Sequence, residues 1–143
     1  MTVRAILDLK GRDVTTIVPD KTLGDAASLL SQHKIGALVV TVADRRVTGI
    51  LSERDIVKAV SADGAAALQE KIAARMTREV VTCGPHDTMA ELMGRMTAGR
   101  FRHLPVVENG RLVGIISIGD VVKHRLAEME RESSALRDYI MTA

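Results

Sequence analysis

The strongest constraint on this chain is that it is written twice. Gly49–Asp55 reads Gly-Ile-Leu-Ser-Glu-Arg-Asp, and Gly114–Asp120 reads Gly-Ile-Ile-Ser-Ile-Gly-Asp. The surrounding residues keep step. Pro19 aligns with Pro85, Thr22 with Thr88, Ser52 with Ser117, Asp55 with Asp120 and Lys58 with Lys123, a repeat of about 65 residues. A unit of that size buries its own core poorly. Two of them are expected to pack face to face about a pseudo-two-fold axis, so that the equivalent Ser and Asp pairs line two related clefts at the joint. Small ligands usually sit in such clefts.

Within each copy the pattern predicts strand, helix, strand, strand, helix, an α/β (α+β type) unit. In the first copy, Val14–Val18 is β-branched throughout and reads as a strand stopped by Pro19. Thr22 with Asp25 forms a capping box, and Leu23, Ala26, Ala27 and Leu30 fall on one helical face, with an end near His33. Ala37–Thr41 and Val47–Leu51 read as strands, and Ser52 opens a helix to about Val60. Ser61–Gly64 is a candidate linker, and Ala65–Met76 is predicted to be a connecting helix. The second copy repeats the scheme. Val80–Cys83 is its opening strand, and Thr88 with Glu91 caps a helix carrying Met89, Leu92, Met93 and Met96. Two strands around the Asn109-Gly110 hairpin signal then lead to Ser117 and the last helix. The methionines belong to the core face of their helix. Thr2–Leu9 reads as a short helix or a lead-in. The repeats are bounded at 10–62 and 76–127, with a C-terminal helix over 128–143, together one module over 1–143.

Each duplicated junction has local chemistry of its own. An apolar run, apolar on both faces like a buried strand, ends at Ser, and Asp follows three residues later inside the first helical turn. Two hydrogen-bonding side chains thus stand beside a helix N-terminus, whose free N–H groups favour an anion. That chemistry suits a ribose and a phosphate. Ser-x-x-Asp is equally a capping box, with Ser as N-cap and Asp at N3, and the two roles coexist because a capping Ser also faces outward.

The chain-wide composition excludes several classes. Lys plus Arg is 20 against 18 for Asp plus Glu, a net charge of +2, too balanced for a dedicated nucleic-acid or membrane binder. Phe101 and Tyr139 are the only aromatic residues, so no base-stacking platform exists. No apolar run approaches a membrane span, and residues 1–10 lack the apolar core of a signal peptide. Cys83 is the only cysteine and reads as a small buried hydrophobe. The expectation is a cytoplasmic protein. His33, His86 and His124 lack metal-ligand spacing and read as surface residues. No nucleophile elbow, phosphate loop, Cys/His pair or metal cluster is present, so an enzyme is not expected.

The duplicated unit, with Gly-x-x-Ser-x-x-Asp closing each copy and Arg102-His103-Leu104-Pro105-Val106 in the second, resembles the cystathionine β-synthase (CBS) domain family. The resemblance covers about Val3 to Leu126 and looks like a stand-alone CBS pair with no catalytic domain attached. It implies a pseudo-symmetric regulatory module that binds AMP, ATP, NAD(H) or another adenosine compound, and commonly a flat homodimer. Carried over by residue, it implies that Ser52, Asp55, Ser117 and Asp120 belong to the nucleotide motif, with Asp on the ribose hydroxyls. A carboxylate accepting two hydroxyl hydrogen bonds is sound chemistry for that role. Arg102, His103 and Pro105 match the second-copy motif, the first two at positions that meet phosphate. Thr16 and Thr82 match positions beside adenine and ribose, and Arg54 is a further phosphate candidate. For Arg102 and His103 the alternatives are a solvated strand edge and a satisfied core histidine.

The copies are unequal. The first has Gly36, Ala37 and Val39 where the second has Arg102, His103 and Pro105, and Gly119 stands opposite Arg54. One well-equipped cleft and one weak cleft are expected, and the assignment leans towards Asp120 for the better one. Beyond Lys123, the residues Val122, Leu126, Met129, Ser133, Leu136 and Ile140 follow a 4-3-4-3-4 spacing. That seam is either a dimer contact or packing against the protein's own N-terminal segment. Two functions remain: a ligand-sensing regulator of an unidentified partner protein, or a pure dimerisation and interaction module with vestigial clefts.

Overall fold

The computed structural model describes residues 1–142. The chain opens with α1 (Val3–Lys10), capped by the Thr2 hydroxyl, which accepts from the Ala5 N–H. The first copy follows as β1 (Thr16–Ile17), α2 (Leu23–His33), β2 (Ala37–Val42), β3 (Arg46–Ser52) and α3 (Glu53–Asp63). The second consists of α4 (Met89–Gly99), β4 (His103–Glu108), β5 (Arg111–Ser117) and α5 (Ile118–Thr142). The first sheet has the order β1-β2-β3, with β1 parallel to β2 and β2 antiparallel to β3; the second is the antiparallel pair β4-β5. The β4-β5 turn is the predicted Asn109-Gly110 hairpin, and both residues take the positive φ (53° and 77°) that such a two-residue turn requires.

Three predicted elements are corrected. Of the Val14–Val18 strand only Thr16 and Ile17 pair, with Val39 and Val40, and Pro19 has no N–H to extend the ladder. Ala65–Met76 is not a continuous helix but two 3₁₀ turns, Gly64–Gln69 and Ile72–Ala74. Between them Glu70 and Lys71 are extended, because their backbone bonds the chain ahead of α2: Leu23 N–H donates to Glu70 O, and Ile72 N–H to Lys21 O. Ser61–Gly64 is no linker, since α3 runs on to Asp63. The third correction is Val80–Cys83, where only Cys83 pairs, in one parallel bridge to Val106. Thr77 is still bonded to Ile50 on the first sheet, so the chain spends the intervening residues crossing between sheets.

The pseudo-symmetry extends beyond the repeat itself. Val3 N–H donates to Asp87 O, Arg4 N–H to Pro85 O and Met89 N–H to Met1 O. Ile72 N–H donates to Lys21 O, Ala73 N–H to Pro19 O and Leu23 N–H to Glu70 O. The start of α1 therefore does for the second copy what Ile72–Ala74 does for the first. The cores follow this exchange. Val3, Ile6 and Leu7 pack with Cys83, Met89, Leu92, Met96, Leu104 and Ile116, whereas Ala67, Ile72 and Met76 pack with Leu23, Leu30, Leu38, Leu51 and Ile56. The joint is held by two reaching arginines: Arg45 Nε donates to Leu112 O (3.0 Å) and Arg111 Nε to Asp44 O (3.2 Å).

Candidate functional site

The strand-to-helix junction of the first copy is organised by its cap. Ser52 Oγ accepts from Asp55 N–H (3.2 Å), and Asp55 Oδ2 accepts from Ser52 N–H (2.9 Å), a complete capping box at the head of α3. The box engages one carboxylate oxygen of Asp55. The other receives no hydrogen bond among the described residues. Both side chains line a cavity of about 320 Å³ between the two copies, at the small end of the roughly 300–1,000 Å³ typical of ligand pockets.

The far wall comes from the second copy. Arg100, Phe101, Arg102 and His103, ahead of and at the start of β4, face Gly36 and Ala37 at the start of β2. These are the positions that differ between the repeats, so the small pair and the basic pair meet across one cleft. A Cβ at Gly36 would stand in ordinary van der Waals contact with the His103 ring (3.8 Å), which places the two positions on facing walls of the cleft. Arg54 adds a guanidinium from α3, while Val80 and Val81 of the crossing segment, with Ile50, supply apolar surface. Burial lowers the pKa of His103, and the charges of Lys10 and Arg102 act in the same direction against Asp120 and Glu53. The ring is therefore mostly neutral near pH 7.

The second junction has the same cap and a different neighbour. Ser117 Oγ accepts from Asp120 N–H, and Asp120 Oδ2 accepts from Ser117 N–H (2.9 Å). Here Lys10 of α1 reaches in, with Nζ 2.7 Å from Asp120 Oδ2 and 2.9 Å from the Ile115 carbonyl. Burial works against the Asp120 carboxylate, but the bonds from Lys10 and Ser117 outweigh it and hold its pKa below the ordinary value. Leu7, one turn earlier in α1, covers Gly114, as Met76 covers Gly49 in the first copy. Three residues beyond Met76 stands Glu79, which lines the Asp55 cleft, and three beyond Leu7 stands Lys10. The Asp55 cleft therefore has an acid where the Asp120 junction has a cation.

Of the residues singled out in the sequence, the structure brings Ser52, Arg54, Asp55, Arg102 and His103 together. Ser117 and Asp120 lie at the second junction. Thr16 is held in β1 opposite Val39, and Pro105 is buried within β4, its carbonyl accepting from Cys83 N–H. Thr82 is exposed and lines a separate shallow groove with Arg46, Arg78 and Asn109. Glu79, Val80, Val81 and Arg100 are cleft residues that the repeat alignment gave no reason to choose. The wandering course of 77–82 between sheets, which puts the first three there, leaves no periodic signal. Cys83 is 4% exposed, and burial pushes its thiol up to about 12, as befits a core residue. Among the described residues no cluster of metal-binding side chains occurs, and no helix is long and apolar enough to cross a membrane.

Comparison with known proteins finds one family model twice along the chain. The family model described as CBS domain matches residues 6–62 and 70–127. A CBS-domain containing protein of Agrobacterium tumefaciens, ATU1752, superimposes with a TM-score of 0.84 at 58% identity, over 87% of this chain and 99% of that one. The CBS domain-containing protein CBSX3, mitochondrial, of Arabidopsis thaliana is 34% identical over 125 residues, which are 85% of this chain and 61% of the relative. The CBS domain pair of protein MJ0100, in complex with 5′-methylthioadenosine and S-adenosyl-L-methionine, superimposes with a TM-score of 0.76 at 26% identity, over 86% of this chain and 98% of that one.

Proposed function

This chain belongs to the CBS-domain family as a tandem pair, and from that premise we propose that it is a non-catalytic regulatory module whose ligand is an adenosine nucleotide held in the Asp55 cleft. CBS pairs are regulatory modules, and the MJ0100 pair holds two adenosine compounds. The observation that carries the reading is the meeting of Asp55 with Arg54, Arg102 and His103 around one cavity. In this arrangement the open oxygen of Asp55 accepts from a ribose hydroxyl. The guanidiniums and the His103 ring take the phosphate, and Ile50, Val80 and Val81 cover the base. Binding across the joint couples the two copies. It therefore shifts whatever conformations differ at that joint, by the ligand's differential affinity for them. The protein it regulates in turn would read that shift.

The test is a thermal-shift panel of AMP, ATP, NAD(H), 5′-methylthioadenosine and S-adenosylmethionine. A ligand at 100 times its Kd stabilises by about 2.7 kcal/mol, several degrees for a chain of this size. The expected outcome is a shift with the phosphate-bearing ligands that disappears in Asp55→Ala. No shift with any of the five at millimolar concentration would leave the pure interaction module as the better reading.

A further inference from the structure

The last helix carries an apolar seam that none of the described residues covers. α5 has 25 residues, about 37 Å of helix, and Val121 is its only buried residue. From Met129 onward every described residue is exposed. Leu126, Met129, Leu136 and Ile140 lie on one stripe with Val122 and Ser133 and are 54–65% exposed. The chain's own N-terminal segment does not cover them. α1 is packed into the second core, and the terminal ammonium of Met1 pairs with Glu128 (3.1 Å), which lies between Leu126 and Met129 in sequence but at a heptad c position, off the a/d stripe.

The flanking charges identify the occupant. In heptad terms Leu126, Ser133 and Ile140 are a positions, and Val122, Met129 and Leu136 are d positions. Lys123, Glu130 and Arg137 then fall at e, and Arg125, Glu132 and Tyr139 at g. A parallel, in-register pair sets each g residue against the following e residue of the other helix. Arg125 meets Glu130 and Glu132 meets Arg137, each twice by symmetry, and all four pairs attract. An antiparallel pair on the same seam, with Val122 opposite Ile140, sets Glu130 against Glu130, Glu132 against Glu132 and Lys123 against Arg137. Each of those contacts repels. We propose that α5 pairs with α5 of a second copy as a parallel, in-register two-stranded coiled coil, which places both CBS pairs at the same end. Ser133 at a central a position lowers the stability of the pair, as small polar residues do there. The pairing follows from the seam and its flanking charges and does not rest on the proposed nucleotide binding.

Ile140→Cys tests it in the full chain. In the parallel pair the two new thiols face each other within disulfide reach; in the antiparallel pair they stand about 27 Å apart along the helix. Buried Cys83 does not compete. The expected result is a covalent dimer on mild oxidation, lost when Leu126→Asp and Leu136→Asp are added. Both of those positions are more than half exposed, so the melting transition of the globular part stays in place. Glu130→Lys with Glu132→Lys should also abolish the cross-link, and adding Arg125→Glu with Arg137→Glu should restore it. Failure of Ile140→Cys to cross-link overturns the proposal. So does cross-linking that survives the two Asp substitutions, or charge exchange without restoration.

Discussion

The two Asp junctions are built from the same cap and differ in what stands beside it. Asp120 is met by Lys10, and its charge is answered inside the protein at 2.7 Å. Asp55 has the capping bonds alone and looks across a cavity at cationic groups too far away to pair with it directly. Every bond Asp120 receives falls on Oδ2, so each acid keeps one oxygen without a hydrogen bond among the described residues. The difference is that the Lys10 ammonium already neutralises Asp120 and makes it a weaker acceptor for a ribose hydroxyl, whereas Asp55 has no such partner among those residues. The comparison teaches that a duplicated motif need not yield duplicated surroundings. On the function proposed above, the ligand-binding acid is Asp55, whereas the repeat alignment leans towards Asp120.

The largest effect should come from the two acids themselves. Asp55→Ala is expected to weaken nucleotide binding by 10- to 100-fold, about 1.5–3 kcal/mol for a lost bond to a charged group. Asp120→Ala should leave it within about twofold, since independent sites act additively. Isothermal titration of both variants measures this, and the reverse ranking would return the site to the second junction.

A smaller difference is expected between Gly49 and Gly114. A Cβ at Gly49 would meet Met76 Sδ at 2.6 Å and the Thr77 carbonyl at 3.0 Å, whereas one at Gly114 would meet only the movable end of Leu7. Gly49→Ala should therefore cost about 1–3 kcal/mol of overpacking and Gly114→Ala less, as read from urea denaturation midpoints. Equal costs would mean that the two coverings are equally yielding.

Lys10→Met isolates the partner instead of the acid. Loss of this partly exposed pair should cost less than about 1 kcal/mol. Asp120, with its pKa held down in the folded state, contributes stability above the ordinary carboxylate pKa and loses it as pH falls through the lower folded value. Lys10→Met should flatten that acid limb while leaving affinity at the Asp55 cleft unchanged.

The smallest and most diagnostic effect is that of His103. Its pKa is lowered on folding, so the unfolded chain takes up the proton first. Stability therefore falls as pH drops through the ordinary value of 6.5 and continues to fall down to the folded value. A bound phosphate favours the imidazolium and should reverse the trend for binding, tightening it as pH falls below neutrality. Titrations at several pH values on wild type and His103→Gln check this; a slope that persists in the variant would assign the proton elsewhere.

Much of this molecule is legible locally. The Thr22–Asp25 and Ser52–Asp55 boxes form as read. The Thr88 cap forms by half, with Thr88 Oγ1 accepting from Glu91 N–H while Glu91 lies 3.8 Å from Arg95. Met89, Leu92 and Met96 are buried as their spacing requires. Where the reading failed, backbone pairing with a distant segment overrode local preference. Ala65–Met76 has the composition of a helix, yet Glu70 and Lys71 extend to bond the residues before α2.

Capping boxes, hairpin turns and apolar periodicity are contests between groups a few residues apart, so the sequence by itself determined the repeat, the two junctions and the seam on the last helix. Which acid meets which cation is a contest between groups on different copies. Lys10 lies 110 residues from Asp120, and Arg102 lies 47 from Asp55. No spacing in the chain encodes those meetings. They follow from the pseudo-two-fold packing and from the exchange that seats α1 in the second core, and only the tertiary structure decided them.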